Sequence, residues 1–203
     1  MKTILFCFLI VITSIIYAQN TIQFIDLYGD YLGQTPPGKK AIKFAPDFIS
    51  LPDRSEYVLK FTPDGNECYI GCSIRDSSKI YFTKRINNTW TELMEVPFSL
   101  NQKVMLSGLS SDGKKLYFEK DDDIWMVERT TNGWGEPQCL PVQINSTSND
   151  HSYTETTDGT IYVGSSRPGG SGKYLNVWQI NQEPDNSLQA KNPGLMINWS
   201  LRI

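Results

Sequence analysis

Phe61-Thr62-Pro63-Asp64-Gly65-Asn66-Glu67-Cys68-Tyr69-Ile70 reads as an apolar strand, an Asp-Gly turn and a second apolar strand. A chain reversal between strands needs backbone with positive φ, which Gly and Asp adopt at little cost, so the pair marks a hairpin. The same wording returns as Gly108-Leu109-Ser110-Ser111-Asp112-Gly113-Lys114-Lys115-Leu116-Tyr117-Phe118 and as Tyr153-Thr154-Glu155-Thr156-Thr157-Asp158-Gly159-Thr160-Ile161-Tyr162-Val163. The Asp-Gly pairs stand 48 and 46 residues apart.

Around each turn the same order follows. Strand A, Tyr57–Phe61 in the first copy, alternates with the period of two that a sheet requires. Strand B is expected over 67–72, 115–119 and 160–164. Strand C is rich in aromatics, over 79–83, 123–127 and 175–180. Strand D opens at Trp90-Thr91-Glu92 or Trp134-Gly135-Glu136-Pro137. Four strands in a period of about 45 residues mark a blade of a β-propeller. The expected fold is therefore all-β: antiparallel four-stranded blades, about three of them, in a partial, open propeller over 46–203. Lys191–Asn198 echoes the link at 138–145 and would start a fourth blade. An arc of three leaves the outer faces of its first and last blades uncovered, and large apolar patches are rare on soluble monomers. The chain is therefore expected to be a fragment, or else to self-associate through the open blade faces.

Residues 1–18 carry one cation, Lys2, then an apolar run from Ile4 to Ile16 and a small residue at Ala18, the pattern of a secretory signal peptide. Thirteen residues are too few to cross a bilayer, and no later stretch is apolar enough, so no transmembrane segment is expected. Residues 19–45 read as an extended leading strap with Pro36 and Pro37 at its centre. Without 1–18 the chain keeps 185 residues at a net charge of −4, which argues against nucleic acid. Cys68, Cys72 and Cys139 remain. The first two lie about 13 Å apart on one strand, too far to bridge each other, and three small buried thiols are expected ahead of a disulfide involving Cys139.

Tyr31-Leu32-Gly33-Gln34-Thr35-Pro36-Pro37-Gly38, then Phe44-Ala45-Pro46, then Phe61-Thr62-Pro63-Asp64-Gly65, resembles the leading segment and first blade of exported bacterial WD40-like propellers of the TolB type. Ser165-Ser166-Arg167 resembles that family's Ser-x-Arg turn, and Gly133-Trp134-Gly135-Glu136-Pro137 its strand D opening. The resemblance covers nearly all of the chain after the leader. It implies a periplasmic or extracellular location and a propeller, often six-bladed, without fixing one activity. The second copy departs from the pattern, with Ser110-Ser111 for Thr-Pro and Lys120-Asp121-Asp122 for the Ser-x-Arg turn.

Glu56 and Asp150 each lie eight residues before their Asp-Gly aspartate, and Arg75 and Arg167 follow the corresponding strands B. An acid and an arginine would thus share one rim in the first and third copies, as a salt bridge between loops or as a ligand site. The second copy has Val104 and Lys120 there. His151, the single histidine, sits beside Asp150 on the same rim. One histidine without histidine or cysteine partners does not make a zinc site, and Gly164–Lys173 lacks the spacing and following helix of a phosphate loop. No cofactor, metal set or nucleophile elbow is expected. Glu56, Arg75, Asp150, His151 and Arg167 are the ligand-binding candidates of a non-catalytic binding or scaffold module for protein or glycan partners. The alternative is the propeller domain of a polysaccharide hydrolase or lyase, with Glu56, Asp150 and His151 as acid and base.

Overall fold

The computed structural model describes residues 27–170, 175–183 and 187–192. The signal peptide expected at 1–18, the strap before 27, part of the loop at 164–173 and most of the link echo at 191–198 lie outside the described residues. Three antiparallel sheets follow one another along the chain. The first holds β1 (Ser55–Phe61), β2 (Glu67–Ile74), β3 (Ser77–Ile86), β4 (Thr89–Trp90) and β5 (Met94–Glu95). The second holds β6 (Met105–Leu109), β7 (Lys115–Lys120), β8 (Asp123–Thr130), β9 (Gly133–Trp134) and β10 (Gln138–Cys139). The third holds β11 (Asp150–Glu155), β12 (Ile161–Ser165), β13 (Asn176–Gln182) and β14 (Leu188–Lys191). Among the described residues there is no α-helix, and no strand of the third sheet pairs with the first.

Each first turn is held by its aspartate. Asp64 accepts from the Thr62 hydroxyl at 2.5 Å and the Asn66 N–H at 3.0 Å. Asp112 accepts from Ser110 at 2.7 Å and the Lys114 N–H at 2.9 Å, and Asp158 from Thr156 and the Thr160 N–H. These bonds favour the ionised carboxylates and hold all three below the usual carboxyl range. Gly65, Gly113 and Gly159 follow at φ of 67°, 71° and 84°. The third turn is one residue shorter: Thr156 N–H closes it onto Thr160 O, whereas Thr62 and Ser110 reach Glu67 and Lys115. Tyr162 therefore falls at the ladder position of Tyr69 and Tyr117, not Val163 as counting from Asp-Gly suggests.

Strand D is broken in the first two sheets, unlike the continuous strand expected. Between β4 and β5 the Thr91 side chain intervenes, its hydroxyl accepting the Lys84 N–H at 3.1 Å while Thr83 donates to its carbonyl at 2.7 Å. Between β9 and β10 stands Pro137, which has no N–H for the ladder.

The sheets stack face to face through apolar layers. Tyr69, Ile80, Leu106, Leu116, Phe118 and Val127 fill the space between the first and second. Tyr117, Ile124, Tyr153, Val163, Trp178 and Ile180 fill that between the second and third. Each such side chain contributes about 1.5–3 kcal/mol on burial. The far face of the first sheet is not open, as the arc of three would have it. Leu32, Ala45, Phe48 and Ile49 of the leading segment lie over Cys68, Ile70 and Trp90. The segment is anchored by Trp90 N–H to Leu27 O at 2.9 Å, Gly29 N–H to Asn88 O at 3.0 Å and the Trp90 indole to Gly29 O at 2.8 Å. Cys68 and Cys72 are buried, and burial pushes the Cys68 thiol up to about 12. Cys139, expected inside, is exposed, because its two-residue strand lies at the sheet edge.

Candidate functional site

The rim pairs separate into two arrangements. Glu56 and Asp150 do occupy equivalent ladder positions, opposite Cys72 on β2 and Ser165 on β12. Asp150 is fully buried and meets Arg167 at 2.8 Å, the two side chains being 0% and 9% exposed. Arg167 also donates to Ser165 Oγ at 2.8 Å and to the carbonyls of Gln143 and Ile144, while Asp150 accepts from the Ser146 N–H and hydroxyl. Burial opposes ionisation of Asp150, yet the bonds from Ser165, Arg167 and Ser146 outweigh it and hold the carboxyl below its usual range. With its acceptors satisfied, this group is a clamp fixing the link from the second sheet to the third.

In the first sheet the same duty falls to a different arginine. Glu56 pairs with Arg54 at 2.7 Å, not with Arg75, and Arg54 caps the carbonyl of Ile49 at 2.7 Å. Arg75 is exposed in the two-residue turn between β2 and β3 at φ 53°, with no ion pair to another described residue. The shared acid-and-arginine rim thus forms with Asp150 and Arg167 and does not form with Glu56 and Arg75. The tight turn between β2 and β3 points Arg75 into solvent.

His151 faces away from Asp150, since neighbours on a strand project to opposite sides. Its Nδ1 lies 2.7 Å from Oε2 of Glu119 on β7. Glu119 is a functional candidate the sequence reading did not single out; its signal is a carboxylate at the end of the apolar run Leu116-Tyr117-Phe118. Its other oxygen accepts the Ser152 N–H at 2.7 Å and the Ser107 hydroxyl at 3.3 Å. Ser107 Oγ in turn accepts the Tyr153 N–H at 2.7 Å, so β6, β7 and β11 share one network. A carboxylate only accepts, so Nδ1 carries a hydrogen, and in the neutral form of the ring Nε2 is an acceptor.

These residues line a cleft of about 430 Å³ where the first strands of the three sheets converge. Tyr57 and Val58 come from β1, Met105, Leu106 and Ser107 from β6, and 151–154 from β11, with Leu175 ahead of β13. Every first strand is bulged here, at Glu56/Val58, Leu106/Gly108 and His151/Thr154. Bulges re-aim side chains and are frequent beside binding sites. Ser152 sits in its bulge at φ 56°, a strained value for serine that the bond to Glu119 helps to hold. Gly71 of β2 leaves room for the Tyr57 ring: a Cβ there would come within 2.7 Å of it. Burial pushes the Tyr57 phenol well above its usual range.

On the opposite edge a groove of about 520 Å³ runs between the first turns of the first two sheets. Most of its charges are ion-paired. Glu67 accepts from Tyr69 at 2.5 Å, pairs with Lys84 at 3.0 Å and meets Arg129, which stacks 4.0 Å from the Trp134 ring. Burial of Glu67 is again outweighed by these donors, which hold the carboxyl low. The cluster ties the first two sheets together.

Among the described residues no group of three or more histidine, cysteine, aspartate or glutamate side chains is arranged to hold a metal ion, and no helix is long and apolar enough to cross a membrane. Compared with known proteins, the chain matches no family model, no curated protein and no solved structure.

Proposed function

We propose that the chain is an exported, propeller-type binding module of the TolB-like kind, its three sheets acting as blades and its cleft receiving part of a protein or glycan partner. The observation that carries this reading is the convergence of β1, β6 and β11 on one cleft, because a propeller presents the first strand of every blade to its axis. Export rests on the leader read at 1–18. The clamps at Glu56 and Asp150 serve the scaffold in this reading, and the binding groups are those of the cleft. Immobilised chain lacking residues 1–18, challenged with periplasmic and culture-fluid extracts and with a glycan array, should retain a partner that is lost when the exposed Leu175 and Thr154 are both replaced by Arg. Retention unchanged by that replacement, or no retention above background, would overturn the assignment.

A second reading, acid–base chemistry on a polysaccharide, is favoured by the Glu119–His151 pair, since a carboxylate that orients an imidazole is the usual arrangement of a general base. Glu56 and Asp150 have no part in it, each being occupied by its arginine. Polysaccharide cleavage abolished in His151→Gln with binding retained would establish this reading.

A further inference from the structure

We infer that the cleft takes a neutral polyhydroxyl ligand, a sugar of one or two rings, and that Nε2 of His151 accepts one of its hydroxyls. The inference deepens the binding-module reading and rests on it. Among the described residues no lysine or arginine lines the cleft, and Glu119 is the one carboxylate there. That side chain is 9% exposed, and its oxygens already accept from His151, Ser152 and Ser107. An anionic ligand would find no counter-charge, and a cation would compete with donors that the protein has already placed. A charge taken from water into such a site without a partner is strongly disfavoured.

What the cleft does offer is uncharged and two-sided. Tyr57 and Leu175 are 40% and 50% exposed, large apolar groups at an edge of the cleft. The exposed hydroxyl residues Ser152 and Thr154 and the oriented ring of His151 stand on β11. A sugar ring has the matching form, a C–H face that covers apolar side chains and a rim of hydroxyls that both donate and accept. The volume of about 430 Å³ lies in the range of small-molecule sites. The ligand groups are also set in advance. Glu119 fixes both the imidazole and the Ser152 backbone, so little ordering is left for the moment of binding.

Isothermal titration of the chain lacking residues 1–18 with glucose, galactose, N-acetylglucosamine and cellobiose tests this, with glucuronate and glucosamine as charged counterparts. Saturable millimolar binding of at least one neutral sugar is expected, weakened about tenfold, or about 1.4 kcal/mol, in His151→Phe and for the charged counterparts. The melting temperature reports whether each variant is folded. Where His151→Phe does not fold, Thr154→Val, an exposed position, reports on the same site and should weaken binding severalfold. No saturation by any neutral sugar, tighter binding of a charged counterpart, or wild-type affinity in the folded variants would overturn the inference. A chain that binds no sugar yet retains a protein partner on the affinity matrix loses the sugar assignment and keeps the binding-module reading; retention of neither removes both.

Discussion

Replacing Arg167 with Met removes the cation from a carboxylate that has no access to water. Asp150 is 0% exposed, Arg167 is 9% exposed, and they meet at 2.8 Å. Breaking a buried pair by deleting one partner costs about 3–5 kcal/mol, mostly because the remaining charge is stranded. Asp150 keeps its bonds from Ser146 and Ser165, so the lower end applies, about 3 kcal/mol. For a domain of this size that is about 6–12 °C in melting temperature. Urea unfolding followed by tryptophan fluorescence reads the cost directly, and Lys115→Met is its control. Lys115 and Glu128 are 46% and 54% exposed at 3.6 Å, so that loss should stay below about 1 kcal/mol. The two also part in their pH dependence. The folded Asp150 carboxyl titrates below its ordinary 3.8, so its contribution is complete above that value and is lost as pH falls through the lower one, where the unfolded chain binds a proton that the folded chain does not. Arg167→Met removes one cause of that depression, and the gap between wild type and variant should narrow below about pH 4. A cost like the control's, or a gap that does not change with pH, would refute the reading of a buried clamp.

Gly71→Ala should cost about 1–3 kcal/mol in denaturant midpoint by overpacking, because the new methyl would lie 2.7 Å from Tyr57 and Val58 and 2.9 Å from Leu106; Gly38→Ala, with open space around it, serves as the neutral comparison. With residues 1–18 removed, a maleimide should label one cysteine per folded molecule, Cys139, since Cys68 and Cys72 are buried; mass spectrometry of native and denatured samples decides it. Deleting residues 19–49 should uncover Cys68, Ile70 and Trp90 and show as dye binding and a higher solution mass, whereas an unchanged monomer would contradict the capping role of the segment.

The strands were legible because their signals are local. Alternation in Tyr57–Phe61, the aromatic runs at 79–83 and 123–127 and the three Asp-Gly turns all act within a few residues, and each lies in or beside a strand of the observed sheets. What failed needed information from elsewhere in the chain. The cover over Cys68 and Ile70 comes from residues 32–49, and nothing in a proline-rich strap announces which sheet it packs on. The breaks in strand D were half visible: Pro137 advertises one, while the Thr91 side chain that replaces ladder bonds in the other could as well have pointed outward.

The candidate site shows the same division more sharply. Counting back from the Asp-Gly turns placed Glu56 and Asp150 at equivalent positions, because β1 and β11 each carry a one-residue bulge and the same number of residues up to the turn aspartate. Counting forward did not place the arginines. The connection after β2 is a two-residue turn and that after β12 is a longer loop, so Arg75 is thrown into solvent while Arg167 folds back onto Asp150. His151 was found without its partner. Sequence adjacency suggested Asp150, but pleating sends neighbours to opposite faces, and the carboxylate that meets the imidazole comes from another sheet, 32 residues earlier. A strand that is apolar through Phe118 and then places a charge on its concealed face has a reason for it, and here the reason is the next sheet's histidine. Lone histidines in stacked sheets are therefore better matched to a charge that interrupts an apolar strand of the preceding sheet than to the acid beside them in the chain.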